Sequence, residues 1–210
     1  MIRVFKIIAT SVLIAFTGIS AAFAQDRAVD DPKGAMDFIA NLSLDTQTVW
    51  SDSKLTADER SAAFKTLFER VTDIELLSKG ILGRHYRTAS EAQRRAYMAA
   101  MTDYIINELD IQMQKIGFKK LDITGTTPAS GKNGHLFVRT KVDREQGEPM
   151  LADWRVRKKD GVFQIVNLEV EGINLLITNR EVFSARIKEV GLDGLIAELR
   201  DSVAKTSTAD

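Results

Sequence analysis

The feature that most restricts the fold is a series of four alternating segments in the second half of the chain. Residues 120–126, 134–143, 150–159 and 162–171 each alternate apolar and polar side chains, and each gap between them contains a glycine. Alternation is the pattern of a β-strand with one buried face. Short connections join antiparallel neighbours. We therefore predict a four-stranded antiparallel meander, with the alternation slipping near Asn167.

The alternation also predicts which side chains share a face of this sheet. The apolar positions of the second and third strands should face the protein interior: Leu136, Val138, Thr140 and Val142, then Met150, Ala152, Trp154 and Val156. The basic residues between them in the third strand should face water: Arg155, Arg157 and Lys159. Successive side chains of a strand point to opposite faces, so each set lies on one side.

Helical spacing of apolar residues occupies the chain on both sides of the predicted sheet. Four capping signals mark helix starts before it: Asp31 with Pro32, Thr56 with Glu59, Asp73, and Ser90 with Gln93. The last signal opens the longest helix, which should stop at Gly117. Two more helices are predicted over residues 173–190 and 193–204. Helices before and after an antiparallel sheet indicate an α+β fold, with the helices covering one face of a curved sheet.

The N-terminus has the pattern of a secretory signal peptide. Arg3 and Lys6 precede an apolar run over residues 7–19, and Ala22-Phe23-Ala24 is a small-x-small cleavage site. We expect residues 1–24 to be removed and residues 25–210 to form one domain, with a fraying tail over 205–210. An uncleaved anchor is the alternative, but the run is short for a span of ~20 residues. The mature protein should be exported.

Composition excludes several classes of function. The chain carries 29 basic and 29 acidic residues, and loss of Arg3 and Lys6 would leave it slightly acidic. This balance argues against a nucleic-acid partner, which calls for a basic surface. The chain has no cysteine, so no disulfide can stabilise it outside the cell.

No motif of catalysis or metal binding stands out. The chain has two histidines and lacks Gly-x-Ser-x-Gly, His-Glu-x-x-His and a phosphate-binding glycine loop. Counting residues does not exclude a Ser-His-Asp arrangement. Glu169 and Glu171 fit a solvated strand face. His85 fits a packing residue that caps a helix end, or alternatively a pH-sensitive latch. We expect a protein that is not an enzyme and holds no metal.

Two groups of short motifs resemble one family. The upstream group is the run over residues 83–90 followed by Gln93, Arg94 and Tyr97. The downstream group is Asp153-Trp154-Arg155, Asp160-Gly161, Glu171-Gly172-Ile173, Asn179-Arg180 with Phe183, and the run over residues 191–195. In order and spacing they resemble the MlaC family, the periplasmic phospholipid-binding component of the Mla (maintenance of lipid asymmetry) pathway, also called the toluene-tolerance auxiliary family. His85 and Asn174 depart from the usual aromatic residue and serine.

The resemblance implies a function as well as a fold. The sheet and helices should enclose an apolar pocket that carries one phospholipid as cargo, with no cofactor. The expected partners are an outer-membrane lipoprotein–porin complex and an inner-membrane ABC-type complex, and the carrier should be a monomer. Arg84 and Arg87 are candidate phosphate contacts. The exposed bases Arg94, Arg95, Arg155, Arg157 and Lys158 are candidates for docking partners, or simply keep the surface soluble.

Seventeen apolar residues are predicted to line this pocket. They are Leu67, Val71, Ile74, Leu77, Ile81, Tyr97, Met101, Tyr104, Ile105, Val138, Val142, Trp154, Val156, Ile165, Leu168, Ile173 and Leu176. Each of them could equally be plain core. Two other functions stay open: a small enzyme on a similar scaffold, and a chaperone that binds polypeptide. The predicted inner face of the third strand carries no acid, which counts against the enzyme.

Overall fold

The computed structural model describes residues 31–129 and 134–206. The predicted signal peptide, the turn predicted over residues 130–133 and the last four residues lie outside this range. Its elements are α1 (Pro32–Ser51), α2 (Ala57–Val71), α3 (Ile74–Leu82), α4 (Arg84–Thr88), α5 (Glu91–Ile116), β1 (Phe118–Pro128), β2 (Leu136–Arg144), β3 (Met150–Lys159), β4 (Val162–Val170), β5 (Ile173–Asn174) and α6 (Leu175–Thr206).

The predicted helix starts are confirmed by their capping hydrogen bonds. The acceptors are Asp31 for Gly34 N at 2.9 Å, Thr56 for Glu59 N at 3.2 Å, Asp73 for Leu76 N at 3.0 Å, and Ser90 for Gln93 N at 3.1 Å. The two capping boxes are complete, because the Glu59 and Gln93 side chains accept from the backbone N–H groups of Thr56 and Ser90. Each cap supplies a partner for an amide that the helix itself leaves free.

The sheet is an antiparallel meander in the order β1-β2-β3-β4-β5. The meander was predicted, but the count of four strands was wrong by one short strand. Glu171 and Gly172 have φ values of 50° and 76° and reverse the chain directly after β4. Ile173 then pairs with Val170, and Asn174 pairs with Glu169. The predicted helix start at Ile173 therefore moves to Leu175.

A β-bulge in β4 confirms the predicted slip near Asn167. Asn167 pairs with Arg155 and Ile165 pairs with Val156, so Val166 is an extra residue without a partner in β3. Ile165, Val166 and Asn167 are consequently all buried, although strict alternation would bury every second residue. A bulge bends its strand and re-aims side chains in this way.

The predicted face of β2 is confirmed, since Leu136, Val138, Thr140 and Val142 are all buried. One prediction about β3 was wrong: Arg157 does not face open water. Its side chain is 22% exposed and pairs with Asp73, which is 12% exposed. The cause lies in the packing of α3, because Asp73 precedes that helix and its N–H donates to Ile165 O at 2.9 Å.

The last helix folds back on itself. Gly191 has φ 73° and ψ 173°, which are not helical angles. Arg186 Nε donates to Glu198 Oε2 at 2.8 Å, whereas twelve residues of straight helix would separate them by about 18 Å. Two predicted helices are thus confirmed as two arms of α6 joined at Gly191.

The buried apolar residues form two clusters. One joins α3, α5 and both arms of α6, with Ile81, Leu82, Tyr97, Met101, Phe183 and Leu199 among its members. The other joins α1 and α2 to the sheet, with Ala35, Ile39, Leu67, Val138 and Val156 among its members. The division leaves room between the clusters, and this room is the candidate site.

Candidate functional site

An apolar cavity of about 490 Å³ lies between the two clusters. Residues of both clusters form its wall: Leu67 and Ile165 come from the sheet-side cluster, and Ile81 and Met101 come from the helical one. Sites for small molecules typically have volumes of ~300–1,000 Å³ and mostly apolar walls. Both the size and the lining of this cavity are therefore those of a ligand site.

The structure brings eleven of the seventeen predicted pocket residues into this wall. They are Leu67, Val71, Leu77, Ile81, Met101, Tyr104, Ile105, Val142, Trp154, Ile165 and Leu168. Their convergence follows from helical stripes and strand faces that the sequence pattern already showed. That they contact a lipid stays a prediction.

The other six predicted residues lie outside the wall, and packing explains most of them. Val138 and Val156 are sealed beneath α1 and α2 in the sheet-side cluster. Tyr97 is fully buried in the helical cluster, where its hydroxyl donates to Ser78 O at 3.2 Å. Leu176 packs against α3 at Gly80. Ile173 is 56% exposed, because the turn after β4 carries it outward.

The sixth residue, Ile74, is the first residue of α3 and is half-buried without lining the cavity. It lies directly after the capping residue Asp73, at the end of α3 that the Asp73–Arg157 ion pair holds. Its periodicity with Leu77 and Ile81 is correct, but the cavity wall includes only those two of the three.

Sequence reasoning missed a further set of wall residues. They include Leu42, Ser43 and Thr46 of α1, Phe64 and Phe68 of α2, Glu108, Leu109, Gln112, Met113 and Ile116 of α5, and Phe118, Leu121, Met150, Ala152, Asn167 and Val170 of the sheet. Leu109, Met113 and Ile116 continue the helical stripe of Met101 and Ile105. This helical periodicity is visible in the sequence and would have been enough to predict these three residues.

One wall residue in the C-terminal half of α5 reaches the surface. Met101 is buried and Tyr104 and Ile105 are half-buried, whereas Gln112 is exposed, although all four line the same wall. Among the wall residues that the structure describes, Gln112 is the only exposed one. A polar part of a ligand could reach water beside it.

The wall offers very little charge. Among the wall residues that the structure describes, none is a lysine, an arginine or a histidine, and Glu108 is the only charged one. Burial raises the pKa of the Tyr104 hydroxyl, and the charge of Glu108 raises that pKa further. The candidate phosphate contacts Arg84 and Arg87 are exposed on α4 and do not line the cavity.

The indole of Trp154 presents hydrocarbon to the cavity because its one polar atom is already bonded. Its Nε1 donates to Thr140 Oγ1 at 3.1 Å, and that hydroxyl donates to Ala152 O at 2.8 Å. Buried N–H and O–H groups need such partners. The polar atoms of Trp154 and Thr140 therefore bond within the sheet and not with an occupant of the cavity.

Comparison with known proteins agrees with this architecture. The family model described as MlaC protein matches residues 41–201, which is more than half of the chain. The chain belongs to the MlaC family. A solved structure of a phospholipid-binding protein from Ralstonia solanacearum, in complex with a phospholipid, has the same fold with a TM-score of 0.69. The two chains are 19% identical, and the match covers 82% of this chain and 98% of that one.

The histidines of this MlaC-family protein lie away from the cavity. His85 Nε2 is 3.1 Å from Ser184 Oγ, and no carboxylate joins this pair among the residues that the structure describes. Burial lowers the pKa of His85, and Arg84 and Lys188 lower it further. His135 Nδ1 accepts from Arg155 Nε at 3.2 Å. Neither histidine therefore belongs to a group of polar side chains around the cavity.

Glu169 in β4 and Glu171 directly after it both accept hydrogen bonds from neighbouring strands. Glu171 accepts from Leu151 N at 2.7 Å, and Glu169 accepts from Asn174 Nδ2 at 2.7 Å. Within residues 31–129 and 134–206, no group of three or more His, Asp and Glu side chains is arranged to hold a metal ion. In the same residues, no helix combines the length and apolarity needed to cross a bilayer.

Proposed function

We propose that this MlaC-family protein is a periplasmic phospholipid carrier. It would take lipid from one complex of the Mla pathway and deliver it to another, between an outer-membrane lipoprotein–porin complex and an inner-membrane ABC-type complex. The observation that carries the proposal is the apolar cavity of about 490 Å³. Family membership and the fold shared with a phospholipid-bound protein support a binding or transport role over an enzymatic one.

The energetics of the cavity call for an occupant. At ~24 cal/mol per Å³ of unfilled core, a space of 490 Å³ would, if it held no water, lower the free energy of unfolding by at most about 12 kcal/mol. Whole domains are stable by only ~5–15 kcal/mol. An apolar ligand that fills the space removes this penalty, and the acyl chains of a phospholipid have the matching chemistry.

The same reasoning limits how cargo is exchanged. Two acyl chains hold about 30 methylenes, and burying each contributes ~0.8 kcal/mol, so their transfer from water gains on the order of 20 kcal/mol. Release into water would reverse nearly all of this gain. The carrier must therefore exchange lipid in direct contact with a donor or acceptor, where both environments are apolar.

Native mass spectrometry of the purified mature protein, followed by solvent extraction and lipid identification, tests the proposal. We expect one phospholipid for each polypeptide, retained on dilution. A bare polypeptide that also takes up nothing from phospholipid vesicles would contradict it. N-terminal sequencing of the exported protein tests the location, since cleavage of the signal peptide should leave Gln25 first.

A further inference from the structure

One polar residue of the cavity wall, Asn167, lies directly after an irregularity of the sheet. Leu168 and Val170 line the cavity, so regular alternation would turn Asn167 to the opposite face. Asn167, which directly follows the bulge at Val166, nevertheless lines the same wall. The residue is 4% exposed, so its amide is surrounded by protein and by the cavity.

Only one end of this amide is satisfied by the protein. Oδ1 accepts a hydrogen bond from Leu176 N at 3.2 Å, at the start of α6. This bond fixes which end of the amide is the oxygen. Nδ2 has no acceptor among the residues that the structure describes, and it is not one of the atoms sealed inside the protein without a partner, such as Thr72 Oγ1. An acceptor can therefore reach it from the cavity.

An amide N–H₂ at this depth needs an oxygen to bond. Buried donors without a partner are rare and cost about 1–3 kcal/mol each. Its neighbours on β4 that line the wall are Ile165, Leu168 and Val170, whose side chains offer no oxygen. A ligand with an acceptor at the level of Asn167 would satisfy this donor.

We propose that Asn167 donates a hydrogen bond to an ester carbonyl of the bound phospholipid, and so selects ester-linked lipids. The inference rests on the proposed function and specifies its cargo. A carbonyl is favoured over a phosphate oxygen because a charged group loses far more hydration on burial. The described part of the wall also holds no cation to compensate such a charge.

A competition between two lipids tests this assignment. The purified protein is exchanged against vesicles that contain equal amounts of diacyl and dialkyl phosphatidylethanolamine with matched chains, and the loaded lipid is counted by native mass spectrometry. An ether oxygen is a weak acceptor. We expect the wild-type protein to prefer the diester about fivefold, the ratio given by a hydrogen bond of ordinary net strength.

Two substitutions separate binding from folding. Asn167→Asp keeps an oxygen for Leu176 N but removes the donor, whereas Asn167→Leu removes both. Both variants should lose the preference between the two lipids. Total loading of Asn167→Asp should also fall, because an ionised carboxylate in the wall disfavours acyl chains, while circular dichroism should show its helices intact. Equal loading by the wild-type protein, or an unchanged preference in Asn167→Leu, would overturn the assignment. Failure of the wild-type protein to load either lipid would instead contradict the proposed function.

Discussion

At the scale of single residues, apolar character alone does not distinguish a wall residue from a core residue. Tyr97 and Met101 lie one helical turn apart on α5 and are both buried. Met101 lines the cavity, but Tyr97 packs among helices and bonds Ser78 O. The difference arises from the elements packed against α5: they leave a space beside Met101 but enclose Tyr97.

A charge introduced in the wall should remove lipid without unfolding the protein. Leu168→Asp would place a carboxylate beside the acyl chains, and an unpaired buried charge is strongly unfavourable. We expect retained lipid to fall at least about tenfold by native mass spectrometry. Val162→Asp is the control on the same strand, since Val162 is 59% exposed. If the two variants lose lipid equally, Leu168 does not contact the cargo.

The two histidines should make the fold less stable in mild acid. Burial lowers the pKa of both, helped by Arg84 and Lys188 at His85 and by Arg155 at His135. A folded pKa below the unfolded value of ~6.5 means that the unfolded chain binds more protons. The stabilisation is therefore present above that value and is lost as pH falls from it through the lower folded pKa.

Thermal unfolding, followed by circular dichroism between about pH 7.5 and pH 5.5, tests the direction of this pH dependence of stability. The unfolding temperature should fall on acidification, and the double variant His85→Gln, His135→Gln should show a smaller fall. A double variant with the same dependence as the wild-type protein would show that other groups cause it.

At the scale of elements, local irregularities shape the site. The bulge at Val166 lets Ile165 and Leu168 both line the cavity, and the reversal at Glu171 and Gly172 forms β5. The kink at Gly191 returns the second arm of α6 to the helical cluster, where Leu195 and Leu199 pack with Phe183. Regular elements alone would have produced a simple meander with two separate helices.

Gly191→Ala should destabilise the folded protein through the backbone. An added Cβ would meet nothing within 4 Å, but φ 73° with ψ 173° is a conformation that other residues adopt at a cost of about 1–3 kcal/mol. Urea unfolding should show a loss of that size. Val190→Ala, at an exposed neighbour, should change stability by less than about 0.5 kcal/mol. Equal effects would argue against backbone strain.

At the scale of the whole molecule, the cavity exists because the helices and the sheet build two cores instead of one. The room between them lowers the stability of the empty protein and is the space that a ligand would occupy. A substitution that fills this space with a larger side chain should therefore stabilise the empty protein and weaken ligand binding.

Ala152→Leu tests this opposition, because Ala152 is 2% exposed and lines the cavity. The added methyl groups should raise the unfolding temperature of lipid-free protein and reduce uptake from phospholipid vesicles. Ala197→Leu, at an exposed position of α6, is the control and should leave uptake unchanged. A variant at residue 152 that is less stable when empty yet loads lipid normally would contradict this account of the cavity.

Local pattern predicted the elements because caps, turns and periodicity depend on neighbours a few residues apart. The Thr56 and Ser90 capping boxes, the meander and the slip at Asn167 were all readable in this way, as was the family. Eleven wall residues followed from the apolar faces. Which apolar face packs and which borders a space was decided only by the tertiary structure. Val138 and Val142 share one face of β2, yet Val138 is sealed beneath α1 and α2 while Val142 borders the cavity, since the distance between elements is set by contacts far apart in sequence.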